Sequence, residues 1–314
     1  MRVLIAHDGS EGADAALADL PKAGLGNDVE ALVLSVAELW LPPSPPSAGD
    51  ESFPLYTPPG LKSAREHVAQ VIEDAHTLNS KASEHVRRVF PKWRVSGETY
   101  TGSPAWEVIS KADKWQPDLI VVGSQGRSAL SRLFLGSVSQ KILTEARCSV
   151  RVGRRPTVPD RAPVRLLVGV DGSLGSETAV QAVSKREWPS GTEISVIAVE
   201  DPSVPLALGS LNPHVKEWIG ETDAGDHEWV SKIVEASAEK LRVAGTVTTI
   251  VKEGDAKKAL VAEAKHLEVD CIFLGSTGFS NRLERFLLGS VSAAVASRAE
   301  CSVEVVRKKP VETT

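Results

Sequence analysis

The chain has 314 residues, of which 42% are hydrophobic and 25% are charged. This balance is typical of folded globular proteins and excludes the disordered, fibrous and collagen-like classes, and the length predicts two domains. Thirty-six basic and 41 acidic side chains give a net charge of -5. The overall field therefore opposes binding to a nucleic-acid backbone, and we expect no nucleic-acid partner.

The sequence predicts a cytoplasmic protein without membrane contact. Residues 3–6 form the first apolar run, which is shorter than the ~7–15-residue core of a signal peptide. No later run approaches the ~18 residues that span a bilayer. The cysteines have no CxxC spacing, and we expect Cys148, Cys271 and Cys301 to be buried and unreactive. Most of the tryptophans, which include Trp40, Trp106, Trp115 and Trp218, are expected in the core or at an interface.

Short apolar runs alternate with longer amphipathic stretches along the first half of the chain. The pattern predicts strands near residues 2–7, 29–36, 94–100, 118–122 and 148–152, and helices near 11–23, 63–89, 104–115 and 136–146. The runs at 32–34 and 119–122 are continuously apolar, as in strands that are covered on both faces. These features predict a parallel α/β fold, in which ligands bind at the carboxyl ends of the strands.

Two stretches interrupt this alternation. Residues 42–59 contain seven of the 19 prolines, which favours an extended loop. This Pro-rich insertion is either a lid over a site or a surface loop. Residues 154–163 have no apolar periodicity and are the predicted linker between domains, and residues 309–314 are a predicted tail.

The second half of the chain repeats the first. The segment VLIAHDGS at 3–10 returns as LLVGVDGS at 166–173, GSQG at 123–126 returns as GSTG at 275–278, and CSV at 148–150 returns at 301–303. Matching blocks in the same order predict a duplicated domain, with one unit at 1–153 and the other at 164–308. The last strands, at 150–152 and 303–306, are predicted to pair across the units as an intrachain pseudo-dimer. A further homodimer is left open.

A glycine-rich segment of the first unit has the features of a phosphate-binding turn. Gly123 and Gly126 follow a predicted strand, and nine residues later Gly136 and Ser137 open the last helix. Glycines let the backbone approach a ligand closely, and N–H groups at the start of a helix favour an anion. The same arrangement also occurs in proteins without a ligand. The residues alone therefore do not decide whether this segment binds a phosphate or only shapes a turn.

Together with Asp8, Val36 and the run at 118–123, this segment resembles the universal stress protein family. In that family a Gly-x2-Gly-x9-Gly-Ser/Thr signature marks members that bind ATP, and the resemblance covers both halves of this chain. It implies two tandem Rossmann-like domains, each a five-stranded parallel sheet of order 3-2-1-4-5 flanked by helices. It also implies that the cofactor is ATP, accompanied by Mg²⁺ or Mn²⁺. The scattered histidines indicate no metal site made by the protein alone.

The resemblance assigns adenine and ribose to the neighbourhood of Ala6, Asp8, Val36 and Val122. The phosphates would be held by Gly123, Gly126, Arg127, Gly136, Ser137, Val138 and Ser139. Asp8 could accept hydrogen bonds from the ribose, hold the divalent ion, or cap the following helix with Ser10. Arg127 either contacts a phosphate or is solvated.

The second unit departs from the signature in its spacing. Ten residues, not nine, separate Gly278 from Gly289, and one extra residue can displace backbone N–H groups by up to ~3.6 Å. Phe279 also stands where the first unit has Arg127. The prediction of a nucleotide site is therefore stronger for the first unit. The matching residues of the second are Asp171, Val199, Gly275, Gly278, Gly289, Ser290, Val291 and Ser292.

No set of catalytic residues accompanies these motifs. The chain has no GxxxxGK[ST] loop or GxSxG turn, and its histidines form no HxxxH or HExxH pair. We predict ATP binding without efficient turnover, with slow hydrolysis left open. Two functions follow: a nucleotide-linked stress-response regulator, or a protein-interaction module of the same fold without nucleotide. Replacing Gly123 and Gly126 with valine is expected to abolish binding and to change thermal stability only modestly.

Overall fold

A computed structural model describes residues 1–39, 61–126, 135–155, 163–200, 226–277 and 288–308. The Pro-rich insertion predicted at 42–59 and the tail predicted at 309–314 lie outside these ranges. Most of the predicted linker lies outside them as well, as do Trp40 and Trp218.

The described part of the first unit alternates strands and helices close to the predicted positions. The strands are β1 (Arg2–Ala6), β2 (Glu30–Ala37), β3 (Arg94–Thr101), β4 (Leu119–Gly123) and β5 (Ser149–Gly153), and the helices are α1 (Glu11–Asp19), α2 (Leu61–Val89), α3 (Pro104–Trp115) and α4 (Ser137–Glu145). The helix predicted over 11–23 ends early, at Asp19. Pro21 cannot donate the N–H that continues an α-helix, so the chain goes on as a 3-10 turn, Leu20–Lys22.

The described part of the second unit has the same order of elements. Its strands are β6 (Arg165–Gly169), β7 (Glu193–Glu200), β8 (Thr246–Glu253), β9 (Cys271–Gly275) and β10 (Ser302–Val306), and its helices are α5 (Leu174–Ser184), α6 (Asp226–Leu241), α7 (Ala256–His266) and α8 (Ser290–Arg298). None of the described helices is long and apolar enough to cross a membrane.

All ten described strands form one sheet, with the order β3-β2-β1-β4-β5-β10-β9-β6-β7-β8. Each unit has the predicted order 3-2-1-4-5, and its strands are parallel. The units meet where β5 and β10 pair antiparallel, with Arg151 opposite Glu304. This confirms the pairing that was predicted between the two last strands. It also makes the strands of the two units run in opposite directions.

The helices cover both faces of this sheet. On one face, buried residues of both units form a single core, in which Leu4 and Ile120 of the first unit are joined to Ile272 and Val303 of the second. On the opposite face each unit has a core of its own. The strand β4 is buried along its whole length, as its continuous apolar run predicts.

The structure can be compared with the burial that we expected for the cysteines and the tryptophans. Cys148 and Cys271 are buried and Cys301 is half-buried. Removal from water raises the pKa of Cys301 to about 12 and raises that of Cys271 as well, so both thiols stay protonated and unreactive near neutral pH. Trp106 is 59% exposed on α3, so it lies outside the core, and an interface role for it stays a prediction. It has the Lys141 ammonium 5.6 Å from its ring centroid.

Candidate functional site

A cleft of about 850 Å³ opens at the carboxyl ends of β1, β2 and β4 in the first unit. This is the place where the strand order reverses, between β1 and β4. Arg127 is outside the described residues, but every other first-unit residue in the predicted set lies on the wall of the cleft. These residues are Ala6, Asp8, Val36, Val122, Gly123, Gly126, Gly136, Ser137, Val138 and Ser139.

Asp8 connects the end of β1 to the start of α1. Its Oδ1 accepts hydrogen bonds from the backbone N–H and the hydroxyl of Ser10, at 3.0 and 2.6 Å. Ser10 in turn caps α1 by accepting from the Ala13 N–H at 3.2 Å. The other oxygen, Oδ2, faces Gly126, where an added Cβ would lie 3.1 Å away. One carboxylate therefore supports the helix cap and also borders the cleft.

Gly123 and Gly12 bring the end of β4 against the start of α1. A Cβ on Gly123 would lie 2.4 Å from the Gly12 carbonyl carbon, and a Cβ on Gly12 would lie 2.2 Å from the Gln125 carbonyl oxygen. Backbone atoms this close cannot move aside without shifting the helix. The expectation that valine at Gly123 changes stability only modestly is therefore wrong. Among the described residues, only the Asp8 carboxylate lies near an added Cβ at Gly126, so the expectation there stays a prediction.

The first turn of α4 forms another wall of the cleft. Gly136 precedes the helix and donates its N–H to the Ser124 carbonyl at 2.8 Å. The buried Ser139 hydroxyl donates to the Gly123 carbonyl at 2.6 Å, which ties the helix to the end of β4. Ser137 and Val138 are exposed. The N–H groups of a first helical turn have no acceptor within the helix, so this wall suits an anion.

The charged side chains that line the cleft within the described ranges are acidic. Asp8, Glu38 and Asp74 contribute carboxylates, and the lining contains no lysine or arginine within the described ranges. In the same ranges no group of three or more histidine, cysteine, aspartate or glutamate side chains could hold a metal ion. An anionic ligand would therefore depend on backbone N–H groups and on a cation that it brings with it.

Sequence reasoning missed several residues of this cleft. Val71 and Ala75 of α2 line it, and no motif marks them. Gln125 lines it as well, at one of the two unspecified positions of the Gly-x2-Gly signature. His7 also lines it, 5% exposed, with Nε2 3.1 Å from Asp14 Oδ1. The alternation of β1 could have placed His7 on the same face as Val3 and Ile5.

The second unit repeats the backbone frame of this site. Asp171 Oδ1 accepts from the Ser173 N–H at 2.9 Å, and the Ser292 hydroxyl donates to the Gly275 carbonyl at 2.6 Å. Gly289 precedes α8, whose first turn contains Ser290, Val291 and Ser292. Val199 lies near the end of β7. Gly278 is outside the described residues.

The side chains next to this frame differ between the units. Leu274 stands where the first unit has Val122, and Gly169 stands where it has Ala6. A Cβ on Gly169 would lie 2.5 Å from Leu274 Cδ2 and 3.3 Å from Leu260 Cδ2. Leucine side chains therefore occupy the space beside the end of β6.

The fold and the duplicated site define a tandem α/β protein of the Rossmann-like class. The family model described as "Universal stress protein family" matches residues 1–154 and 164–307. The chain therefore belongs to the universal stress protein family.

Curated relatives and solved structures agree with this assignment. A universal stress protein of Mycobacterium tuberculosis is 27% identical over 246 residues, which are 76% of either chain. One of Thermus aquaticus is 30% identical over 152 residues, 48% of this chain and 97% of its own. A universal stress protein structure from Archaeoglobus fulgidus has a TM-score of 0.62 at 20% identity, covering 98% of this chain and 96% of its own. A putative one from Pseudomonas aeruginosa has a TM-score of 0.56 at 14% identity, covering 98% and 92%.

Proposed function

We propose that the first unit binds ATP and that the protein acts as a nucleotide-linked regulator in a stress response. The observation that carries this proposal is the convergence of the implied binding residues, which are spread from Ala6 to Ser139, on a single cleft. The ends of three strands and the first turn of α4 all border that cleft. A volume of about 850 Å³ lies within the ~300–1,000 Å³ of small-molecule sites.

The residues present fit a nucleotide with its divalent ion. Phosphates would lie at the first turn of α4, where N–H groups point outward, and close to Gly126, where no Cβ intrudes. The carboxylates of Asp8 and Glu38 are the oxygen donors that Mg²⁺ and Mn²⁺ prefer. Because the described lining has no lysine or arginine, binding is expected to depend strongly on that ion.

The same charge pattern supports binding without efficient turnover. Phosphoryl transfer requires cations on the developing charge and a positioned acceptor. The described wall offers carboxylates and backbone N–H groups instead. We therefore propose at most slow hydrolysis, with the bound state itself as the signal.

Calorimetry with ATP and Mg²⁺ tests the proposal directly. The expected stoichiometry is one nucleotide per chain, because leucines narrow the equivalent space of the second unit. Chelating the metal is expected to weaken binding, and heating purified protein is expected to release nucleotide. A wild-type chain that takes up no ATP with metal present would contradict the proposal and favour the interaction module without nucleotide.

A further inference from the structure

Two arginines at equivalent positions cross from each unit into the other. Arg154 follows β5, and its Nη2 donates to the Ala296 carbonyl in α8 at 2.5 Å. Arg307 follows β10, and its Nη2 donates to the Leu143 carbonyl in α4 at 2.6 Å. The two donors and the two acceptors are each 153 positions apart, which is the spacing between the repeated cysteines Cys148 and Cys301. The exchange is therefore reciprocal.

Serines fix the backbone of both arginines at the joint between the units. The N–H of Arg307 donates to Ser149 Oγ at 3.1 Å, and the N–H of Arg154 donates to Ser302 Oγ at 2.9 Å. Arg307 is 6% exposed, and its burial lowers the pKa of the guanidinium to about 10, so it remains a cation near neutral pH. A buried cation thus lies at the carboxyl end of α4, where the helix dipole favours positive charge.

The opposite end of α4 is a wall of the nucleotide cleft. The helix has nine residues, about 13 Å at 1.5 Å per residue. We propose that Arg307, a residue of the second unit, is a positioning residue for the nucleotide cleft of the first unit. By holding the carboxyl end of this short helix, it orients the first turn at Ser137 toward the phosphates. Its charge also offsets the negative end of the helix dipole, which leaves the potential at the first turn more positive and so more favourable to an anion. This role rests on the proposed ATP binding.

The reciprocal arginine supplies a matched control. Arg154 donates to two carbonyls, those of Ala296 and Cys301, but it holds α8, which does not border the first cleft. Arg307 leaves its Nε and Nη1 without a partner among the described residues. Removing Arg154 is therefore expected to cost more stability than removing Arg307. Removing Arg307 is expected to cost more ATP affinity. If both arginines had a purely structural role, the variant that loses more stability would also be the one that loses more ATP affinity.

The experiment compares Arg307→Gln, Arg307→Lys and Arg154→Gln in the full chain. Calorimetry with ATP and Mg²⁺ is expected to show about three- to tenfold weaker binding for Arg307→Gln. Arg307→Lys keeps the charge and is expected to bind nearly as the wild type does. Arg154→Gln is expected to bind within about twofold of wild type. Amide hydrogen exchange is expected to rise over 137–145 in Arg307→Gln and over 290–298 in Arg154→Gln.

The possible failures are distinguishable. A wild-type chain that binds no ATP would overturn the proposed function, and the positioning role with it. Wild-type binding together with equal affinities for Arg307→Gln and Arg154→Gln would overturn the positioning role alone. Unchanged exchange over 137–145 in Arg307→Gln would also overturn it, because α4 would then not depend on the second unit.

Discussion

Arg151 and Glu304 face each other in register across the joint between β5 and β10, with Arg151 Nη1 3.3 Å from Glu304 Oε2. Both side chains are fully buried, and they occupy equivalent positions of the two units. Arg151 also bonds Asp19, and Glu304 bonds Arg186. Negative and positive charges therefore alternate along this chain of contacting side chains: Asp19, Arg151, Glu304 and Arg186. If two first units paired through β5 in this register, Arg151 would lie opposite Arg151, and two second units would place Glu304 opposite Glu304. The joint is therefore suited to one first unit and one second unit.

Replacing Arg151 with methionine is expected to lower the free energy of unfolding by about 3–5 kcal/mol. Asp19 loses a buried partner, and Glu304 loses one of its two charged partners among the described residues. Urea denaturation measures the loss. Arg94→Met is the control, since Arg94 pairs with Asp28 in an exposed contact and surface pairs contribute little. Equally small losses in both variants would show that the buried network does not stabilise the joint.

Two alanine substitutions are expected to have different effects: Gly126→Ala mainly on ATP binding, and Gly123→Ala mainly on the stability of the fold. Gly126 lacks a positive φ, and among the described residues an added Cβ would meet only Asp8 Oδ2, at 3.1 Å. Gly126→Ala is therefore expected to weaken ATP binding about tenfold, or ~1.4 kcal/mol, at nearly unchanged stability. Gly123→Ala is expected to cost about 1–3 kcal/mol of stability from the backbone overlap with Gly12. Thermal melts and calorimetry on both variants check this, and a Gly126→Ala chain with wild-type affinity would place the ligand elsewhere.

Ser139→Ala and Ser292→Ala remove the same hydrogen bond from the two units. Each hydroxyl donates to a glycine carbonyl at 2.6 Å, and each loss is expected to cost about 1 kcal/mol because one hydrogen bond inside the fold is removed. Only Ser139→Ala is expected to reduce ATP affinity, since only Ser139 ties α4 to the wall of the first cleft. Denaturation and calorimetry together measure the two effects. Equal affinities in the two variants would contradict the assignment of the site to the first unit.

The raised pKa of Cys301 predicts that the free energy of unfolding depends on pH in the alkaline range. Its pKa is about 12 in the folded chain, above its ordinary value of 9.0, so unfolding becomes easier once the unfolded thiol ionises. The stabilisation is fully present below pH 9 and is lost as the pH rises toward 12. Between pH 8 and pH 10.5 the wild type is expected to lose about 2 kcal/mol more than Cys301→Ala. Denaturation at both pH values measures this difference, and parallel losses would show that the thiol ionises freely in the fold.

Sequence patterns predicted the positions of the first unit's elements because its strands are short, apolar and separated by long amphipathic helices. The duplication also predicted the pairing of β5 with β10. The charges at that joint could not be predicted in the same way. Arg151 and Glu304 lie in strands 153 positions apart, and a charged residue in a last strand is ordinarily an exposed one. Only the pairing of the two strands buries both.

The glycine signature predicted where the cleft is, but it did not separate the roles of its members. Gly126 lies on the cleft wall and faces the Asp8 carboxylate, whereas Gly123 packs against the backbone of α1, and the spacing of the motif is the same for either role. The contribution of α2 through Val71 and Ala75 has no local signal, because it depends on how that helix packs across β2 and β3.

The antiparallel joint also fixes where the two carboxyl edges of the sheet point. Each unit's strands are parallel, and β5 runs against β10, so the mouth of the first cleft and its counterpart in the second unit open on opposite rims of the molecule. A nucleotide bound in the first cleft would therefore lie at the opposite end of the strands from the equivalent face of the second unit. What connects the two rims directly is the pair of middle strands, β5 and β10, with Arg151 and Glu304 in contact between them.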